Sequence, residues 1–217
     1  MPDASTVVIF DDFGSPAEVE AVRAEIVRIQ PAFQFDDRNP DYVKYRIPLD
    51  ALFAERRAES AVLGAVDRNL FAPRIVEGAQ QALLDFTTRS LPYTTTHLTA
   101  VTAHVPDGPC GWHMNDMSHH LPRILFTLNF IWYLDLGGRF TGGRLLVSHD
   151  NIPQKERGGW APASPPRVHE VIEPRHNRLV LLPTTFWHMV EPIAVEDWRG
   201  PLDGRVSVNG HIGFRLA

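Results

Sequence analysis

After Pro92 the chain changes character, and that change limits what it can fold into. Seven apolar segments follow at short intervals: His97 to Val105, Ile124 to Leu134, Arg144 to Val147, Val168 to Ile172, Arg178 to Leu182, His188 to Ile193 and Arg205 to Leu216. They read as strands. Turn signals separate them at Pro106-Asp107-Gly108, Gly137-Gly138, Thr141-Gly142-Gly143, Glu173-Pro174 and Asp203-Gly204. Upstream the pattern is mixed. Val7 to Phe10 is a short strand, and Ser15-Pro16-Ala17-Glu18 is a helix start with a Ser cap, Pro in the first turn and Glu three after the cap. Val19, Val22, Ile26 and Ile29 then recur at helical spacing until Pro31. Tyr42 to Ile47 alternates as a strand does, with Lys44 and Arg46 on the side opposite Val43, Tyr45 and Ile47. Helix-prone stretches follow from Ala51 to Val66 and from Pro73 to Phe86. Helices first and strands later predict an α+β fold, a β-sandwich or barrel buttressed by N-terminal helices.

A length of 217 residues with 44% hydrophobic content fits one domain, residues 1–92 forming an annex and 93–217 the barrel core. The net charge of −5, with basic residues scattered, supplies no basic stripe for nucleic acid or an anionic membrane. The single cysteine, Cys110, excludes an intrachain disulfide and a Cys-based zinc site. Met1-Pro2-Asp3-Ala4-Ser5 lacks a basic leader region, and no apolar run is long enough to span a bilayer. The expectation is a cytoplasmic protein with neither a nucleic-acid nor a membrane partner.

The chemistry concentrates in Gly111-Trp112-His113-Met114-Asn115-Asp116, Phe186-Trp187-His188 and Gly204-Arg205-Val206-Ser207. On a strand, His113 and residue 115 share a face. His188 meets them only if the sheet curls over. Two His and an oxygen ligand leave open positions on a ferrous ion for a chelating partner and O₂. Arg205 and Ser207 alternate to one face and suit the tail of a dicarboxylate, a guanidinium plus one hydroxyl. Arg199, among Gly200 and Pro201, is the rival and reads as a solvated loop residue. Either His alone reads as an ordinary core or surface residue. Their order, followed by Arg-x-Ser, carries the reading.

Position 115 departs from the usual pattern, because Asn115 offers a carbonyl oxygen and no charge. Three accounts stay open. Asn115 ligates or stands aside in a reduced-charge site; Asp116 ligates from an irregular strand end; or the chain only binds. His119 and His120 read as loop residues near the mouth, and His104 as a packed or hydrogen-bonded histidine. Trp112, Trp132, Phe186 and Trp187 are candidates for pocket lining. Asn151 to Arg167, rich in Gly and Pro, reads as a long loop at one mouth of the barrel.

These pieces together resemble the 2-oxoglutarate/Fe(II) dioxygenases, in pattern the prolyl 4-hydroxylase-like branch. The opening Val8 to Glu18, Tyr45-Arg46, Trp112 to Asp116, Phe126 to Phe130, Gly142-Gly143-Arg144-Leu145, Asn177 to Pro183 before His188, and Gly204 to Gly210 fall in that branch's order. The resemblance implies a double-stranded β-helix, a jelly-roll or cupin-like barrel, with helices behind it. It implies Fe(II), 2-oxoglutarate and O₂ as cofactors. His113, His188 and Asn115 would be the metal ligands and catalytic set, with Asp116 as the alternative third ligand. Arg205, Ser207 and Asn129 would hold the co-substrate. The implied reaction is oxidation, in the usual case hydroxylation, of an unactivated C–H in an amino acid, a peptidyl residue or a small metabolite. Three alternatives accompany it. Related halogenases carry Gly or Ala at the carboxylate position, where Asn is larger. A cupin-like enzyme without a 2-oxo acid would show a denser His set near the first motif. A binding protein on the same scaffold would account for Asn115.

Overall fold

Alternation along the strands sorts their side chains into two apolar layers, one on each side of a single large sheet. The computed structural model describes residues 7–37, 43–75, 77, 95–108, 110–115, 124–154 and 161–215. Its strands are β1 (Val8–Phe10), β2 (Gln34–Asp36), β3 (Lys44–Pro48), β4 (Thr95–His104), β5 (Ile124–Leu134), β6 (Phe140–Gly142), β7 (Leu145–Ser148), β8 (Glu170–Ile172), β9 (Leu179–Pro183), β10 (Trp187–Val190), β11 (Ile193–Val195) and β12 (Val206–Arg215). The helices are α1 (Pro16–Ile29), α2 (Leu49–Leu52) and α3 (Ala61–Leu70). Seven strands form the large sheet in the order β1-β9-β5-β12-β4-β3-β2, and β10-β7-β8 and β11-β6 form two smaller ones.

The outer face of the large sheet carries Ile47, Val101, Ala103, Phe130, Trp132, Leu179, Leu181, Val206 and Val208, which pack under Val19, Val22 and Ile26 of α1 and Val62, Leu63 and Val66 of α3. The inner face supplies Ile131, Tyr133, Val180 and Leu182 to a second layer, closed by Leu145, Val147, Ile172 and Val190 from β7, β8 and β10. Two antiparallel sheets closing on a shared interior, with helices on the outside of one, make an α+β double-stranded β-helix.

Local chemistry explains the element boundaries. Ser15 and Glu18 form a capping box at the start of α1. The stretch from Ala51 to Val66, which reads as one helix, breaks into α2, a 3₁₀ turn (Arg57–Glu59) and α3. Ser60 causes the break: its hydroxyl accepts from Leu63 N, while buried Glu25 of α1 accepts from Val62 N at 2.7 Å and from the Ser60 hydroxyl at 3.1 Å. His188 to Ile193 also divides. Pro192 has no N–H for a ladder, so the chain leaves β10 and re-pairs as β11 with β6. Only the first residues of the helix expected from Pro73 to Phe86 lie within the described residues. Asn177, in the left-handed region at φ 58, ties the first loop to the sheet. Its side chain accepts from Gly14 N and Trp132 Nε1 and donates to Gly14 O.

Candidate active site

His113 and His188 lie side by side in the interior, each about 95% buried. The backbone places them. His113 N donates to His188 O at 3.0 Å and His188 N donates to His113 O at 2.9 Å, an isolated antiparallel bridge that attaches residues 110–115 to the edge of β10. The ring centroids are 4.2 Å apart.

Each imidazole is oriented by its own chain. His113 Nδ1 faces Gly111 O at 2.8 Å, and His188 Nδ1 faces Phe186 O at 3.0 Å. A carbonyl only accepts, so both rings carry the proton on Nδ1 and present an Nε2 lone pair. Burial keeps both neutral. It lowers His113 well below its ordinary value, with His188 adding to the effect. It brings His188 to about 4, against the opposing carbonyl of Phe186 and with help from the Lys44 charge. Two neutral rings that carry their protons on Nδ1 are the state a divalent cation requires, with Nε2 as the donor atom of each.

Asn115 joins them: its Nδ2 donates to His188 Nε2 at 3.2 Å, while its backbone N–H is held by Thr184 O. Turning the amide about its last torsion exchanges Nδ2 for Oδ1, so the same position can offer an oxygen to a cation held by the two rings. Asp116, the alternative third ligand, lies outside the described residues, as do His119 and His120. Among the described residues no group of three His, Cys, Asp or Glu is placed to hold a metal. The donor set there is two imidazoles and an amide.

Arg205 is 1% exposed and has no ion-pair partner among the described residues. Its Nη2 donates to Tyr133 Oη at 3.0 Å, and its Nε has no acceptor among the described residues. Gly143 makes room for it. A Cβ there would stand 2.8 Å from Arg205 Cδ, and the residue sits at φ +74. Ser207 follows on the inner face in register with Thr102 and Tyr133, its hydroxyl 3.0 Å from that of Thr102. Asn129 is on the same face opposite His211. Its Oδ1 meets His211 Nδ1 at 2.7 Å, and its buried Nδ2 has no acceptor. Two buried donors without acceptors, one of them a guanidinium, are costly unless a ligand fills them. The chemistry of these donors suits a dicarboxylate, whose charge would add an anion to a donor set that has none among the described residues.

Several interior residues escaped the sequence reading. Tyr133, Thr102, Lys44, Arg46 and His211 share the inner face with Arg205 and Ser207. Alternation outward from Ser207 was the signal that could have found them. The same alternation corrects two tryptophans. Trp132, next to inward Tyr133, points into the helix layer against Phe13 and donates to Asn177. Trp187, next to His188, is fully buried with its indole N–H on Ile152 O. Phe186 packs against the interior layer, and Trp112 is partly exposed. Arg199 is 83% exposed, paired loosely with Asp203, away from the buried set.

No family model and no curated protein sequence matches the chain. Solved structures do. A prolyl-4-hydroxylase of Pseudomonas putida superposes with a TM-score of 0.59 at 17% identity, over 98% of this chain and 94% of that one. The non-haem, alpha-ketoglutarate-dependent carbocyclase SnoK of nogalamycin biosynthesis gives 0.58 at 15% identity, over 98% and 80%. HygX of Streptomyces hygroscopicus, with nickel and 2-oxoglutarate bound, gives 0.55 at 14% identity, over 99% and 84%. The chain therefore has the double-stranded β-helix fold of the 2-oxoglutarate/Fe(II) oxygenases, prolyl 4-hydroxylases among them. None of its described helices is long and apolar enough to cross a membrane.

Proposed function

We propose that this protein is a non-haem Fe(II), 2-oxoglutarate-dependent oxygenase that oxidises, in the simplest case hydroxylates, a C–H bond of an amino acid, a peptidyl residue or a small metabolite. The observation that carries the reading is buried Arg205, without a counter-anion among the described residues, in the same interior as two neutral imidazoles held 4.2 Å apart.

In this reading His113 and His188 hold the iron through Nε2, and Asn115 completes the set through its carbonyl oxygen or stands beside it. Arg205, with Tyr133 and Ser207, takes the far carboxylate of 2-oxoglutarate by charge-assisted hydrogen bonds. Asn129, whose buried Nδ2 has no acceptor among the described residues, would be a further donor to the co-substrate. When bound, iron and 2-oxoglutarate supply the activation of O₂; the balanced reaction consumes R–H, O₂ and 2-oxoglutarate and yields R–OH, succinate and CO₂. The chain's own part is to seat the co-substrate, fix both imidazole tautomers and exclude bulk water with the apolar layer of Ile131, Val147, Leu182 and Val190.

A second reading has a specific basis. Asn115 Nδ2 occupies the His188 Nε2 lone pair, which is how a binding protein that takes no metal would satisfy that ring. Incubation with ferrous iron, ascorbate and 2-oxoglutarate separates the two. Succinate formation with O₂ uptake supports the oxygenase, and absence of iron uptake supports the binding protein.

A further inference from the structure

The inner face of β3 adds two cations to this interior. Lys44 and Arg46 alternate to the same side as Thr102 and Ser207, while Tyr45 and Ile47 turn to the helix layer. Lys44 stands in register between His104 of β4 and Asp36 of β2. Arg46 stands between Thr102 and Gln34, both uncharged. Arg46 is half-buried, and among the described residues its guanidinium has no hydrogen bond or ion pair.

Among the described residues, Lys44, Arg46 and Arg205 bring positive charge to this interior, with Asp36 beside Lys44 at its β2 edge. Arg46 lies across Thr102 from Ser207 on the inner face, the face that also carries His211 and Asn129. Asn115 brings no charge to the same space. Arg205 is committed to the co-substrate in the proposed function. A half-buried arginine on the inner face, with no ion pair among the described residues, suits an oxyanion, and its planar fork suits a carboxylate.

We propose that Arg46 receives a carboxylate of the substrate, so that the molecule oxidised is a small organic acid and not the interior of a polypeptide. This rests on the oxygenase reading, with which it shares the inner face of the large sheet. The carboxylate docks on Arg46 at the β3 side, and the carbon skeleton extends past Thr102 and His211 toward His113 and His188.

The test uses the full chain, labelled with nitrogen-15 and loaded with zinc and 2-oxoglutarate so that no turnover occurs. Arginine Nε–Hε resonances are followed by NMR, and that of Arg46 is identified by its loss in Arg46→Gln. Butyrate and phenylacetate are titrated against butyramide and phenylacetamide, with methyl phosphate and chloride as separate arms. The expected result is a saturable shift of the Arg46 signal by the acids, with the amides weaker by roughly tenfold or more, and no such saturation by chloride. An unmoved Arg46 signal, or equal movement by amides or chloride, overturns the proposal. Tighter saturation by methyl phosphate overturns the carboxylate in favour of a phosphate ester. Titrating 2-oxoglutarate alone and watching Arg205 tests the oxygenase reading independently, so the two failures are distinguishable.

Discussion

Gly143 and Arg205 are complementary: the stem of the arginine passes through the space that a side chain at 143 would fill, with Cδ 2.8 Å from an ideal Cβ. The glycine also sits at φ +74, beside Gly142 at φ +78, in the turn between β6 and β7. Gly143→Ala strains the backbone and displaces the guanidinium together. Thermal unfolding will show a loss of about 1–3 kcal/mol, and calorimetry on zinc-loaded protein will show 2-oxoglutarate binding weakened by roughly tenfold or more. Unchanged affinity in a folded variant contradicts the role of Arg205.

Arg205 itself separates a binding role from a structural one. A buried guanidinium without a carboxylate contributes little to the ligand-free fold. Arg205→Met is expected to leave ligand-free stability within about 1 kcal/mol and to weaken 2-oxoglutarate by roughly a hundredfold. A large loss of stability with unchanged affinity marks the residue as structural.

Asn115→Asp restores a negative charge beside the two imidazoles. Zinc or iron affinity, measured by chelator competition, is expected to rise by roughly tenfold or more. Succinate formation then discriminates further. A native product that vanishes shows that the amide has a chemical role, and turnover that appears from nothing shows that the natural chain is inert.

The buried imidazoles make the metal-free protein acid-sensitive. His188 and His211 are brought to about 4, burial being the main cause in both. In the unfolded chain they take up protons near the ordinary value of about 6.5. Between those values the unfolded state binds more protons, so stability falls as pH falls from about 6.5 to about 4, by up to about 3 kcal/mol per ring. Denaturant midpoints across that range check the sign. A flat profile rules out burial of neutral rings.

Asn177→Ala removes three hydrogen bonds, to Gly14 N, Gly14 O and Trp132 Nε1, from a residue in the left-handed region. The expected loss is about 2–4 kcal/mol in chemical unfolding. Asn177→Gly, which keeps the backbone freedom, recovers less than half of it.

Much of this arrangement was legible in the chain. Alternation predicted the face shared by Arg205 and Ser207, and the cap at Ser15 predicted where α1 starts. The strand from Ile124 to Leu134 matches to the residue. What escaped depended on tertiary context. Gln34–Asp36, Phe140–Gly142 and Ile193–Val195 are too short to show periodicity and exist because a neighbour pairs with them. Glu25 breaks the Ala51 to Val66 stretch from a helix distant in sequence. The cationic inner face of β3 was visible as Lys44 and Arg46, but which way it turned depended on its pairing with β4.

The reciprocal backbone bridge between His113 and His188 has a thermodynamic consequence. Neither ring can drift from the other without unzipping main chain, so the cradle is preorganised before any ion arrives. In the oxygenase reading, loading it turns the Asn115 amide away from His188 Nε2 and leaves the main chain in place. An ion shared by the two rings would bind the folded chain alone, so its binding free energy would add to the stability of the bridge between residues 110–115 and β10.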